Sequence, residues 1–398
     1  MDVVTHNEHG WSRTEPATAS DTAGPDTGRA SVARRLGAAF RYALPALVGY
    51  AAVRLVAFVT LYVWARNTGR RPFALLAEFD GDWYLGIARD GYDAVEALRS
   101  NMAFFPLYPG LTAAVEAVSP LQHRNSALLV GWLAAGAAAW GLFAVGDHLH
   151  GRRVGVVLAV LWGVLPHSLV QMMTYSEALF TALAAWSLYA LLRGHWLTAG
   201  LLCLLAGLTR PTGTALIAVV GLAALIAVVR RQDGWRPWAA MALAPLGWLG
   251  YLAWVGWRTG RIDGWFHIQG AGWGSRFDFG VNTYERGQQV LAHASALEFA
   301  VVSLVGLLAV MFFVLSVIDR QPWQLLLYSG LLLVTTLGAA GYYHSKARFL
   351  LPAFPLLLPA AVALARAGRA RAVTVLTTLA VISAYFGGYL LLIWKFSP

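Results

Sequence analysis

The chain has little sulfur and little charge. One cysteine, Cys203, stands among 398 residues, so no intrachain disulfide forms and the redox compartment cannot be read from it. Charged residues make up 13%, about half the share of an ordinary soluble domain, which excludes a water-soluble globular protein. Lysine is nearly missing: Lys346 and Lys395 stand against 28 arginines, a bias that GC-rich codons produce as readily as a need for guanidinium chemistry does. There is no Walker A loop, no dinucleotide glycine fingerprint and no H-E-x-x-H pair. No internal repeat of fixed period marks a solenoid or a transporter built of paired halves. No apolar stretch directly follows the initiating methionine, so no cleavable signal peptide is expected and the first span is expected to serve as targeting signal.

What remains is hydrophobic. Apolar residues reach 58%, and the net charge of +10 is that of a multi-span protein whose arginines face anionic lipid; nucleic acid is not an expected partner. Residues 1–42 read as a disordered, basic cytoplasmic tail, rich in Thr, Ser, Asp, Gly and Pro up to about residue 33. From Ala43 a single transmembrane domain, 43–398, is expected. Its spans fall near 43–65, 125–147, 154–173, 177–193, 196–210, 211–229, 237–256, 297–318, 323–343, 348–365 and 372–393. That makes an all-α bundle of about 11 helices, within about 10–13. The segment 104–119 is short, holds Pro106, Pro109 and Glu116, and reads as a surface or re-entrant piece.

Arginine placement orients the bundle. With 104–119 left out, the short inner loops collect Arg152, Arg153, Arg193, Arg230, Arg231, Arg236, Arg320, Arg366, Arg369 and Arg371, beside Arg34, Arg35 and Arg41 of the tail. The positive-inside rule then puts the N terminus in the cytoplasm and the long loops 66–124 and 257–296 outside. Arg54 falls within the first span, where a charge is costly; it is expected to find an ion pair or hydrogen bonds inside the bundle.

The first outer loop carries a dense polar patch, "FDGDWYLGIARDGY", at 79–92. Leu85, Ile87 and Ala88 give it the apolar side of a surface helix, which would hold Asp80 and Asp82 beside lipid headgroups. A carboxylate there can take a proton from a hydroxyl close to a lipid-borne leaving group. Asp80-Gly81-Asp82 also matches the D-x-D by which soluble nucleotide-sugar transferases hold a divalent metal. That motif ends a strand of an α/β domain, and no soluble stretch here is long enough to build one; no cofactor is expected, with a divalent metal on these aspartates as the less favoured alternative. Asp147, His148 and His150 read as a solvated cytoplasmic turn.

"FDGDWYLGIARDGYD" followed by "AFFPLYPGL" resembles the signature of the GPI mannosyltransferase II (PIG-V) family and its bacterial relatives, membrane-embedded GT-C glycosyltransferases. "TYSEALFTALAAWSLYALLRGHWLTAGLLCLLAGLTRPTG" and "ARFLLPAFPLLLPAA" look like later regions of the same family, in the same order over roughly residues 43–365. The resemblance implies a bacterial plasma-membrane enzyme that moves a mannosyl group from a polyprenyl-phosphate sugar to a glycan or glycolipid acceptor, with inversion, on the extracytoplasmic face. The family's aspartate falls on Asp80, although Phe79 stands where the pattern has tryptophan; Asp82 is expected to orient or substitute.

Cations for the phosphate are expected at outer helix ends: Arg210 in "LTRPTG", and His344, Lys346 and Arg348 in "YYHSKARF". Substrate contacts are expected from Trp83, Tyr84 and Tyr108 of the first loop, Glu177 at a helix start capped by Ser176, and Gln269, Trp273 and Arg276 of the second. The competing class, a transporter or lipid flippase, would place its functional charges near the bilayer midplane.

Overall fold

A computed structural model describes residues 25–93 and 99–398. Contacts divide the chain into two units, Met1–Tyr42 and Ala43–Pro398. The disordered tail expected over residues 1–42 lies outside the described residues as far as 24. Beyond that it is corrected: a helix begins at Pro25 and runs to Asn67. Pro25 supplies a favourable first helical residue, and Ala- and Arg-rich sequence lets a helix, once nucleated, extend at little cost.

The larger unit is a polytopic helical membrane bundle. Five helices among the described residues are long and apolar enough to cross a bilayer: Gly37–Asn67, His123–His150, Arg236–Thr259, Leu297–Ile318 and Arg369–Leu392. Four shorter apolar helices, Glu177–Leu192, Trp196–Gly207, Gly213–Val229 and Trp323–Leu337, fill the places of further expected spans. Two expected spans are broken. The helix Arg152–Gly163 stops well before residue 173, and a 3-10 turn at Ser168–Met172 follows. Around 348–365, Tyr343–Phe349 and Phe354–Arg366 meet at 76°. The segment 104–119 forms the helix Leu107–Val118, only 12 residues long and outside the candidate spans.

Small residues set the closest helix approach. A Cβ on Gly146 would lie 2.8 Å from the Cα of Gly155, so His123–His150 and Arg152–Gly163 pack backbone to backbone. The main buried cluster, with Ala138, Ala139, Leu142, Leu158 and Trp162, sits there. Arg54 finds hydrogen bonds within the bundle, as expected, through its two terminal nitrogens: they donate to the carbonyl of Ser168 at 2.7 Å and to that of Gly163, while Nε has no partner among the described residues. The broken span at Gly163 therefore leaves carbonyls that a buried cation caps.

Candidate active site

Two acids sit at the first positions of two helices. Asp80 opens Asp80–Asp90 and Glu177 opens Glu177–Leu192, where the helix dipole favours negative charge. Phe79, which leads into the first, has φ +61°, a left-handed conformation costly for an aromatic residue. Gly81 lets that helix close on the segment before Glu177: a Cβ there would lie 2.3 Å from Thr174 Oγ1.

The segment Thr174–Glu177 receives this helix residue by residue. Thr174 packs on Gly81. The Tyr175 hydroxyl accepts a bond from the Asp80 backbone N–H at 3.2 Å. Ser176 Oγ shares a 2.7 Å bond with the Tyr84 hydroxyl and accepts from Arg210 Nη1 at 3.1 Å. Ser176 does not cap its helix through its side chain; its hydroxyl is committed to Tyr84 and Arg210 instead. Burial pushes the Tyr84 phenol up from its ordinary value, with Arg210 opposing, so it stays a neutral hydroxyl.

Charge alternates through the centre of the site. Asp80 Oδ2 lies 2.9 Å from Arg348 Nη2, and Glu177 Oε1 lies 3.4 Å from Arg348 Nε and 2.8 Å from Arg210 Nη1. Arg348 is 3% exposed; its Nη1 donates to Ser397 Oγ at 3.0 Å, and it lies over the rings of Tyr175 and Phe349. Arg210 is placed by the turn between Trp196–Gly207 and Gly213–Val229, where Pro211 prevents one continuous helix. Lys346 Nζ donates to the carbonyls of Thr336 at 2.8 Å and Ala339 at 2.5 Å.

These groups border a cavity of about 600 Å³ whose wall includes Asp80, Tyr84, Arg210, Gln269, Trp273, Arg276, Lys346 and Arg348. Its other walls are largely aromatic, with Phe104, Phe105, Trp248, Trp265 and Phe349 among them. The two long loops, 66–124 and 257–296, are tied together around it. Trp273 Nε1 donates to the Ser100 carbonyl and Gln269 Nε2 to that of Ala103, and the strand Arg276–Phe277 pairs antiparallel with Ala339–Ala340.

Five of the expected site residues do not line this cavity. Trp83 stacks on Phe104 and meets Trp273 edge-on, so it supports the wall from behind. Tyr108 is fully buried, bonded to the Ala127 carbonyl and edge-on to Tyr84. The His344 ring packs among Tyr342, Trp394 and Phe396. Glu177 is buried behind the two arginines. Asp82 is the more exposed of the two helix acids. Partial burial nevertheless raises its carboxyl above the usual range, with Arg124 opposing. Residues two apart on a helix are turned by about 200°, so Asp80 and Asp82 do not form one two-carboxylate face. Among the described residues no three His, Cys, Asp or Glu side chains converge on one point.

No protein-family model matches the chain. A curated relative, GPI alpha-1,6-mannosyltransferase 2 of Mus musculus, is 30% identical over 178 residues, which cover 41% of this chain and 35% of that protein. The chain thus matches about a third of that enzyme's length. Among solved structures, the crystal structure of ArnT from Cupriavidus metallidurans bound to undecaprenyl phosphate superposes with a TM-score of 0.54 at 16% identity, over 83% of this chain and 62% of that one. This chain shares its membrane fold with ArnT over most of its length. The resemblance read from the motifs agrees with the name of the curated relative, over the part of the chain that it matches.

Within this fold, the sequence reading passes over Thr174, Tyr175, Ser176 as a side-chain partner, and Ser397. The signal for the first three was present: "TYSE" is a run of four polar residues between apolar helices, and each one meets the Asp80 helix or the arginines.

Proposed function

We propose that this protein is an inverting glycosyltransferase that moves a sugar, mannose by resemblance, from a polyprenyl-phosphate donor to a hydroxyl of a glycan or glycolipid on the extracytoplasmic face of the membrane. The observation that carries this reading is the placement of a carboxylate, Asp80, and three cations, Arg210, Lys346 and Arg348, on the wall of one aromatic-lined cavity. A lipid-phosphate sugar needs those two kinds of group. The Asp80 carboxylate takes the proton of the acceptor hydroxyl while that oxygen forms a bond to the anomeric carbon. The bond from that carbon to the phosphate oxygen breaks, its electron pair leaves with the polyprenyl phosphate, and the cations stabilise the charge that develops there. Attack opposite the leaving group inverts the anomeric centre. The aromatic walls and Gln269 offer stacking faces and an amide to pyranose rings.

The similar proteins support the class of reaction: one is named a mannosyltransferase and the other was solved with undecaprenyl phosphate. A transporter reading loses its best residue, because Arg54, the charge inside the first span, is held by backbone carbonyls. The test is transfer of radiolabelled mannose from a synthetic polyprenyl-phosphate donor into membrane lipids and glycans. Intact protein should transfer label and the Asp80→Asn variant should not; equal labelling by both would remove Asp80 from the mechanism, and labelling by neither would remove the donor class.

A further inference from the structure

Glu177 is 1% exposed, lies behind the cavity wall and contacts both arginines through one oxygen, at 2.8 Å from Arg210 Nη1 and 3.4 Å from Arg348 Nε. Neither carboxylate oxygen has a hydrogen-bond partner among the described residues, nor has Arg348 Nε, so both contacts are ion pairs without hydrogen-bond geometry. A carboxylate so buried and incompletely bonded is a poor source of stability, since desolvation offsets much of its attraction to the cations. Its geometry has another use. Two guanidinium groups on one wall repel each other, and an anion between them on the protein side removes that repulsion and fixes their separation.

We propose that Glu177 is a positioning residue that holds Arg210 and Arg348 as a two-guanidinium clamp for a single phosphoryl group, the one that leaves with the prenyl chain. This rests on the reading of the cavity as a polyprenyl-phosphate site. Asp80 and Glu177 then divide the work. Both are within ion-pair distance of Arg348, but only Asp80 reaches the cavity and the reacting sugar. Glu177 acts on the phosphate through the arginines.

The experiment measures kcat/KM for a polyprenyl-phosphate sugar, inhibition by free undecaprenyl phosphate, and the acceptor KM, in wild type, Glu177→Gln, Arg210→Gln and the double variant. Glu177→Gln is expected to weaken inhibition by the free lipid phosphate and to lower donor kcat/KM by about tenfold or more, a typical loss for a charge-assisted contact. The acceptor KM should stay within about twofold, whereas a merely structural defect would move all three. In the Arg210→Gln background the same change should cost clearly less, because one half of the clamp is already gone. If Glu177→Gln does not fold, the double variant, which loses one charge of each sign, is compared with Arg210→Gln; matching lipid-phosphate affinity supports the clamp and a further tenfold loss overturns it. Unchanged product inhibition in Glu177→Gln, or equal losses in both backgrounds, would overturn the clamp while leaving the transferase reading intact. Failure of wild type to use or bind any polyprenyl phosphate would overturn the transferase reading and the clamp with it.

Discussion

Asp80 and Arg348 face each other at 2.9 Å across the cavity wall, the carboxylate proposed as base against a cation proposed for the phosphate. One guanidinium therefore serves two anions. On the proposed mechanism, a donor phosphate beside Arg348 competes for the N–H groups that hold Asp80 and leaves the carboxylate to the acceptor hydroxyl.

Asp80→Asn keeps the size of the side chain and removes the proton acceptor. Transfer is expected to fall by about a hundredfold or more, the usual range for loss of a general base. Asp82→Asn, on a different face of the helix, should cost less than tenfold by the same measure. Initial rates with a fixed donor concentration distinguish the two; comparable losses would mean that the carboxylates act together.

Arg348→Ala should be the more damaging of the two arginine truncations. It removes the partner of both Asp80 and Glu177, whereas Arg210→Ala leaves Glu177 one guanidinium. Both variants should lower turnover by more than tenfold, with thermal unfolding in detergent separating lost chemistry from lost fold. Full activity in both would place the phosphate elsewhere.

Chelation should leave transfer intact, because arginine and lysine can neutralise a monophosphate leaving group. Activity that disappears with EDTA and returns with manganese would instead make Asp80 a metal ligand.

Gly81→Ala brings a methyl group against Thr174 Oγ1, where 2.3 Å is available. Overpacking of this kind costs about 1–3 kcal/mol and should lower both the unfolding temperature and the transfer rate by shifting Asp80. Adding Thr174→Ala removes the obstructing hydroxyl and should restore much of each. No recovery would show that the strain lies elsewhere in the helix.

Single cysteines in a Cys203→Ser background report sidedness. Positions Asp90 and Ser295, exposed in the two long loops, should react with an impermeant thiol reagent in intact cells; Gln232 and Asp319 should not. The reverse pattern would invert the orientation inferred from the arginines.

Much of the bundle was legible because a bilayer demands long apolar helices, and hydropathy reads length and burial directly. It does not read direction. The stop at Gly163 and the 76° bend before Phe354 fall in stretches whose mean hydropathy reads as continuous spans, although Pro166 and Pro352 stand beside the breaks. The acids illustrate the same limit. D-x-D suggests a joint pair on a strand, where alternate residues share a face, but here the segment is helical and they do not. An acid at a helix start reads alike whether it favours the dipole or pairs with cations. Only the fold brings Arg210 and Arg348, 138 residues apart in the chain, to one oxygen of Glu177.

The two-residue strand pair has a consequence for how such chains tolerate change in length. Arg276 is registered with Ala340 and Phe277 with Ala339, and the carbonyl of Ala339 also holds Lys346. Adding or deleting one residue between 277 and 339 leaves that register free to re-form, so the intervening loop and helices can drift in size. One residue gained or lost between 340 and 346 would move the lysine relative to the strand that carries Arg276. Insertion scanning should accordingly find a permissive stretch around the exposed residues 291–297 and an intolerant one of a few residues immediately before Lys346.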